Sequence, residues 1–97
     1  MRDLTAYARY EGDDNNLDSK TIKIKDEVYN ILVGSFSFEE GTYNLGGLDE
    51  LLRDIVNGAE DYGYEKDEDW YKAILAVTKL CGFAAKNDLC NIVIVYY

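Results

Sequence analysis

The hydrophobic period changes twice along this chain, and that change limits the available folds more than any single residue does. Leu4, Ala6, Ala8 and Tyr10 alternate with Thr5, Tyr7 and Arg9, the two-residue repeat of a half-buried strand. After a loop over Gly12-Asp13-Asp14-Asn15-Asn16, Ile22 and Ile24 alternate with Thr21, Lys23 and Lys25 and give a second strand. From Leu48 the repeat lengthens. Leu48, Leu51, Leu52, Ile55, Val56, Ala59 and Tyr62 follow the spacing of one stripe on an amphipathic helix. An acidic linker over residues 63–69 then leads to a second helix, Trp70 to about Lys86, with Asp67 or Asp69 as N-cap. That helix is apolar nearly all round and is expected to show water only the stripe of Lys72, Lys79 and Lys86. Ile92 to Tyr97 closes the chain as a β-branched run, expected to be central in its sheet or covered on both faces.

The stretch from Val28 to Phe38 carries both signals. Asp26 could cap a short helix with Val28, Ile31 and Leu32 on one face. Val28, Tyr29, Ile31, Val33, Phe36 and Phe38 are all strand formers, however, and Gly34 weakens a helix interior. The balance of propensity selects a strand with a bulge near Gly34, followed by a turn-rich connection from Gly41 to Gly47. The resulting order, β-β-β-α-α-β, predicts an α+β fold: a small antiparallel or mixed sheet of about four strands with two helices packed on one face. Ninety-seven residues accommodate one domain, 1–97, rather than two. No stretch reaches the roughly 18 apolar residues that a membrane helix needs. Met1-Arg2-Asp3-Leu4 lacks the apolar segment of a signal peptide, and two cysteines make a poor disulfide framework, so the cytoplasm is the expected compartment.

The formal net charge is −9, and its distribution matters more than its sum. Residues 1–38 hold seven acids and five bases, residues 39–69 eleven acids and two bases, and residues 70–97 one acid and three lysines. The middle third therefore carries the excess. Direct binding to nucleic acid or to an anionic membrane is disfavoured by repulsion, and a basic protein surface is the favoured partner.

Catalytic constellations are sparse. The chain has no histidine, which removes the commonest general base near neutral pH and every histidine-based triad or zinc site. Cys81 and Cys90 read as two buried free thiols. Gly41 to Leu48 has the glycine spacing of a phosphate loop, but Gly47 and Leu48 stand where lysine and a hydroxyl residue are required. The run Asp13 to Asp18 lacks the glycine of a calcium loop in either register. No catalytic residue, cofactor or metal site is therefore assigned, and the expectation is a protein that is not an enzyme.

The acidic middle remains. On the first long helix Glu50, Asp54 and Asp61 with Asn57 lie along one solvent-facing line, flanked by Asp49, Arg53 and Glu60. Residues four apart on a helix rise about 6 Å, and two nucleotide steps along one DNA strand about 7 Å, so the row presents charge at roughly the density of a phosphate backbone. Glu65, Asp67, Glu68 and Asp69 extend this surface, and Tyr64 is the expected exposed aromatic anchor, with Tyr62 and Trp70 assigned to the core. Short, acidic, tyrosine-rich, histidine-free chains of this kind resemble, in style rather than by any motif, phage or plasmid counter-defence proteins. On that footing the expectation is an inhibitor of anti-CRISPR or antirestriction type. It would mimic nucleic acid in the basic channel of a nucleic-acid-binding enzyme or effector complex. An immunity protein or antitoxin against a basic nuclease toxin, and a self-assembling structural subunit, are the alternatives; a homodimer is left open.

Overall fold

The two alternating N-terminal segments and the β-branched C-terminal run pair with one another. In the computed structural model, which describes residues 1–62 and 67–97, strand β1 is Arg2–Arg9, β2 Asp18–Ile24, β3 Gly41–Tyr43 and β4 Asn91–Tyr96. They form one sheet in the order β2-β1-β4-β3 with every pairing antiparallel. The fold is thus α+β with a small four-stranded sheet, and β4 lies inside that sheet as its sequence predicts. Leu4 stands opposite Ile22 and Tyr96, Ala6 opposite Lys20 and Ile94, and Ala8 opposite Asp18 and Ile92, so these residues share a face. Leu4, Ala6, Ala8, Ile92 and Ile94 are fully buried there, in one core with the helix residues Leu48, Ile55, Val77 and Leu80. On the opposite parity, Val93 and Val95 of β4 are half-buried rather than fully covered. Cross-strand polar pairs organise that side: Thr5 and Thr21 hydroxyls lie 3.1 Å apart, and those of Tyr7 and Tyr97 2.9 Å apart.

The predicted strand over Val28–Phe38 is corrected. Asp26–Tyr29 is α-helical (α1), and Asn30–Ser35 continues as a π-helical turn. Strand alternation would have placed Asn30 and Gly34 on the same face as Val28 and Leu32. Helical winding instead buries Val28 and Leu32 together and leaves Asn30 and Gly34 exposed. Asp26 and Glu27 occupy the first turn, where the helix dipole favours acids. Burial of one apolar stripe has overridden the β propensity of the individual residues. Ser37, with φ at 54°, then turns the chain so that Phe38 enters the core.

The third strand is Gly41–Tyr43, within the segment expected to be only turns. It pairs with Ile92–Ile94 and stops there. Beyond its end Glu40 Oε1 accepts the Tyr96 backbone N–H at 3.2 Å, and the Tyr96 hydroxyl donates to the Phe38 carbonyl at 2.7 Å. A side chain thus continues the ladder where the strand has ended.

Helix α2 is Leu45–Tyr62, starting three residues before the expected Leu48. Asn44 explains the early start: its Oδ1 accepts the Gly47 N–H at 2.7 Å and its carbonyl accepts the Leu48 N–H at 3.1 Å. Leu48, Ile55 and Ala59 are buried, whereas Val56, assigned to the same stripe, is exposed. Helix α3 is Glu68–Lys86 and is capped by Asp67, whose Oδ1 accepts from Asp69 N–H at 2.9 Å and Trp70 N–H at 3.3 Å. Its buried stripe is Trp70, Ala73, Ala76, Val77, Leu80, Phe83 and Ala84. Contrary to expectation its exposed side is more than lysine, since Tyr71 and Leu75 are exposed as well. Where α2 meets α3, Gly58 is buried beneath Phe36 and Trp70, whose rings stack edge to face with centroids 5.4 Å apart. The Trp70 indole N–H donates to the Ile55 carbonyl at 3.1 Å and ties the two helices together.

Candidate partner-binding surface

The apolar stripe of α2 fixes the position of everything else on that helix. With Leu48, Ile55 and Ala59 turned inward, Glu50, Asp54, Asn57 and Asp61 are all exposed, and so are Arg53 and Glu60. Asp49 is half-buried, close to the Cys81 thiol. None of the α2 carboxylates joins a salt bridge among the described residues. The bridges there involve Asp3, Asp18, Asp26, Glu68 and Asp69 instead. Glu50 and Asp54 are four apart, so they repel each other by a few tenths of a kcal/mol, and the neighbouring exposed Arg53 makes no ion pair with either among the described residues.

The acids at the start of α3 are differently employed. Asp67 spends its carboxylate on the helix cap. Glu68 pairs with Lys72 at 3.0 Å, and the hydrogen bond from that ammonium holds the Glu68 carboxyl below its ordinary range. Asp69 is half-buried and lies 4.0 Å from Lys25. The structure therefore unites Glu50, Asp54 and Asp61 on one exposed face, and gives Asp67, Glu68 and Asp69 intramolecular partners. Tyr64 and Glu65 lie outside the described residues. Trp70 is a core residue at 4% exposure, and Tyr71, at 58%, is an exposed aromatic at the start of α3 that sequence reasoning passed over in favour of Tyr64. Tyr71 was legible in principle, because it falls opposite the buried Trp70, Ala73, Val77 stripe.

Among the described residues the nucleophilic and acidic side chains are dispersed or locally engaged. Both cysteines are free and half-buried, rather than fully buried as expected. Burial and a hydrogen bond to Asp49 push the Cys81 thiol up to about 11, which removes its nucleophilic form at neutral pH. The acids of the 12–18 loop are absorbed locally: Asp13 accepts the Asn15 N–H at 2.9 Å, and Asp18 accepts from Asn87 Nδ2 at 3.1 Å. No three acidic or cysteine side chains converge on a point among the described residues. No helix there is long and apolar enough to cross a membrane. No protein-family model matches the chain, and neither the curated proteins nor the solved structures contain a match to it.

Proposed function

We propose that this protein is a non-enzymatic acidic inhibitor acting in the cytoplasm, which occupies a basic, nucleic-acid-binding surface of another protein. The type is that of phage or plasmid counter-defence proteins aimed at CRISPR effectors or restriction enzymes. One observation carries the reading: Glu50, Asp54 and Asp61 form an exposed row on helix α2 with no cation paired to them among the described residues. A face serving solubility alone would gain stability from interspersed lysines at i, i+4. Helix α2 holds no lysine, and its single arginine, Arg53, makes no ion pair with the row among the described residues.

Inhibition would be competitive. The carboxylates of α2 take the places of phosphates in the partner's channel, and Tyr71 with Tyr64 supplies aromatic area that resists salt. Charge of this kind speeds encounter more than it deepens affinity, so the association rate falls steeply with ionic strength. The test is displacement of a labelled oligonucleotide from a panel of purified defence nucleases and effector complexes. Wild-type protein is compared with the triple variant E50K/D54K/D61K, whose fold is checked by circular dichroism. Displacement by wild type that weakens with salt and vanishes in the triple variant is the expected result. Displacement equally strong in a folded triple variant would remove α2 from the mechanism. Selective neutralisation of a basic nuclease toxin in the same panel would place the protein among immunity proteins instead.

A further inference from the structure

More than half of the cations of this acidic molecule lie along one side of the fold. Lys20, Lys23, Lys25, Lys72, Lys79 and Lys86, six of its ten basic residues, line two adjoining grooves between β2 and α3. The first groove, of about 180 Å³, has Ile22, Ile24, Val28, Leu75 and Ala76 in its walls beside Lys23, Lys25, Lys72 and Lys79. The second, of about 270 Å³, shares Lys79 and adds Lys20 and Lys86. Lys20 and Lys79 have no salt-bridge partner among the described residues, and the other four form bridges of 3.0–4.0 Å.

The groove runs along an unpaired strand. β2 is the edge of the sheet. Asp3 exchanges both backbone hydrogen bonds with Tyr97, at 2.8 and 3.2 Å, so the odd residues of β1 face β4 and the even ones face β2. The even residues of β2 are therefore spent on β1, and the backbone groups of Thr21 and Lys23 point outward. Ser19 N–H is already taken by the Asp18 carboxylate at 2.9 Å.

Lysines on an edge strand discourage self-pairing, and that accounts for Lys20, Lys23 and Lys25. It does not account for Lys72 and Lys79, which belong to the neighbouring helix. With Leu75 they stand at i, i+3 and i+7, and Leu75 is 40% exposed between them. Backbone donors and acceptors, an apolar seat and a cationic rim thus occur side by side.

We propose that this groove receives an extended acidic peptide segment of another protein, added to β2 as a fifth strand. Its backbone bonds to Thr21 and Lys23, an apolar side chain seats on Leu75, and its carboxylates on that same face meet Lys20, Lys72 and Lys79. A nucleic acid has no backbone to match a strand edge and is repelled by the net charge of −9. A second copy joined through β2 would bring Lys20 and Lys23 of both chains together, a like-charge pairing that opposes it. The site is separate from the acidic face of α2 and does not depend on that face having a partner.

The probe is a fluorescein-labelled peptide of repeating Glu-Thr-Val-Thr, which sets glutamate and valine on one face of an added strand and threonine on the other, titrated with the whole protein by anisotropy and mapped by backbone amide shifts. Binding centred on Thr21, Lys23 and Leu75 is expected. K79E should weaken it about tenfold, since it replaces one exposed attraction by a repulsion. T21P removes an outward N–H and the Thr5–Thr21 hydroxyl contact while leaving the backbone bonds of β2 to β1, so it should abolish binding, whereas T21V, which loses only the hydroxyl, should bind as wild type does. Failure of the peptide to bind at millimolar concentration would overturn the proposal. So would equal affinity for K79E and T21P, tighter binding of a single-stranded oligonucleotide of the same charge, or dimerisation through β2.

Discussion

Replacing Gly58 by alanine sets two known effects against each other at one carbon atom. In an unconstrained helix interior the change stabilises by about 1 kcal/mol, because glycine loses more backbone freedom on folding. At this site the added Cβ falls 3.1 Å from Phe36 Cζ and 3.3 Å from Trp70 Cζ2. Trp70 cannot withdraw easily, being 4% exposed and hydrogen-bonded to the Ile55 carbonyl. Phe36, half-buried, must do most of the moving, and crowding of this sort costs roughly 1–3 kcal/mol. Gly58→Ala should therefore destabilise the protein by about 0–2 kcal/mol. The sharper expectation concerns the pair. In a Phe36→Ala background the nearest obstacle is gone, and the same substitution should stabilise by up to about 1 kcal/mol, a reversal of sign. Urea unfolding of the four proteins, followed by Trp70 fluorescence and far-ultraviolet circular dichroism, measures both steps. If Gly58→Ala stabilises equally in the two backgrounds, the aromatic pair does not rest on Gly58 and the α2–α3 packing described above is wrong.

Three further outcomes follow from single contacts. Asp67→Ala should cost about 1 kcal/mol in urea unfolding, because two N–H groups at the start of α3 lose their acceptor, while Asp67→Asn should retain most of that stability. The Asp18 carboxyl is held below its ordinary range by hydrogen bonds from Asn87 and the Ser19 N–H and by Lys86. A group lowered on folding contributes stability above its unfolded pKa of about 4 and loses it as pH falls through the folded value. Unfolding midpoints measured from pH 6 to pH 2 should accordingly decline less steeply in Asp18→Asn than in wild type. With its thiol near 11, Cys81 should expose roughly a hundredfold less thiolate at pH 8 than an unperturbed cysteine, and iodoacetamide should modify it correspondingly slowly. Asp49→Ala should accelerate that reaction, as read by peptide mass spectrometry.

Elements whose signal is local were legible in the sequence. Alternation alone located β1 and β2, and the Leu48 to Ala59 stripe located α2 to within one turn. The cap of α3 was narrowed to Asp67 or Asp69 because a short acceptor side chain precedes an apolar helix, and the structure selects Asp67. The stretch from Val28 to Phe38 was misread because its residues individually favour strands, and only the core shows that Val28 and Leu32 must be buried on one side. β3 is too short, at three residues, to display any period. The same division holds at the candidate surface. Glu50, Asp54 and Asp61 were recoverable as the complement of an apolar stripe, whereas the partners of Glu68 and Asp69 were not. The gathering of Lys20 and Lys23 with Lys72 and Lys79 depends on which strand ends the sheet, and no local pattern encodes that order.

Glu40 gives the sheet a direction of growth. Its carboxylate occupies the Tyr96 N–H just past the three-residue β3, so a strand approaching from that flank meets a plug and a very short ledge. Stacking without limit requires each subunit to offer two competent borders, one to accept and one to extend. A subunit with a single such border behaves as a chain stopper: whatever joins it at β2 ends the series at one addition. The molecule can thus keep a long edge strand in contact with water and still lack the means to seed a fibre.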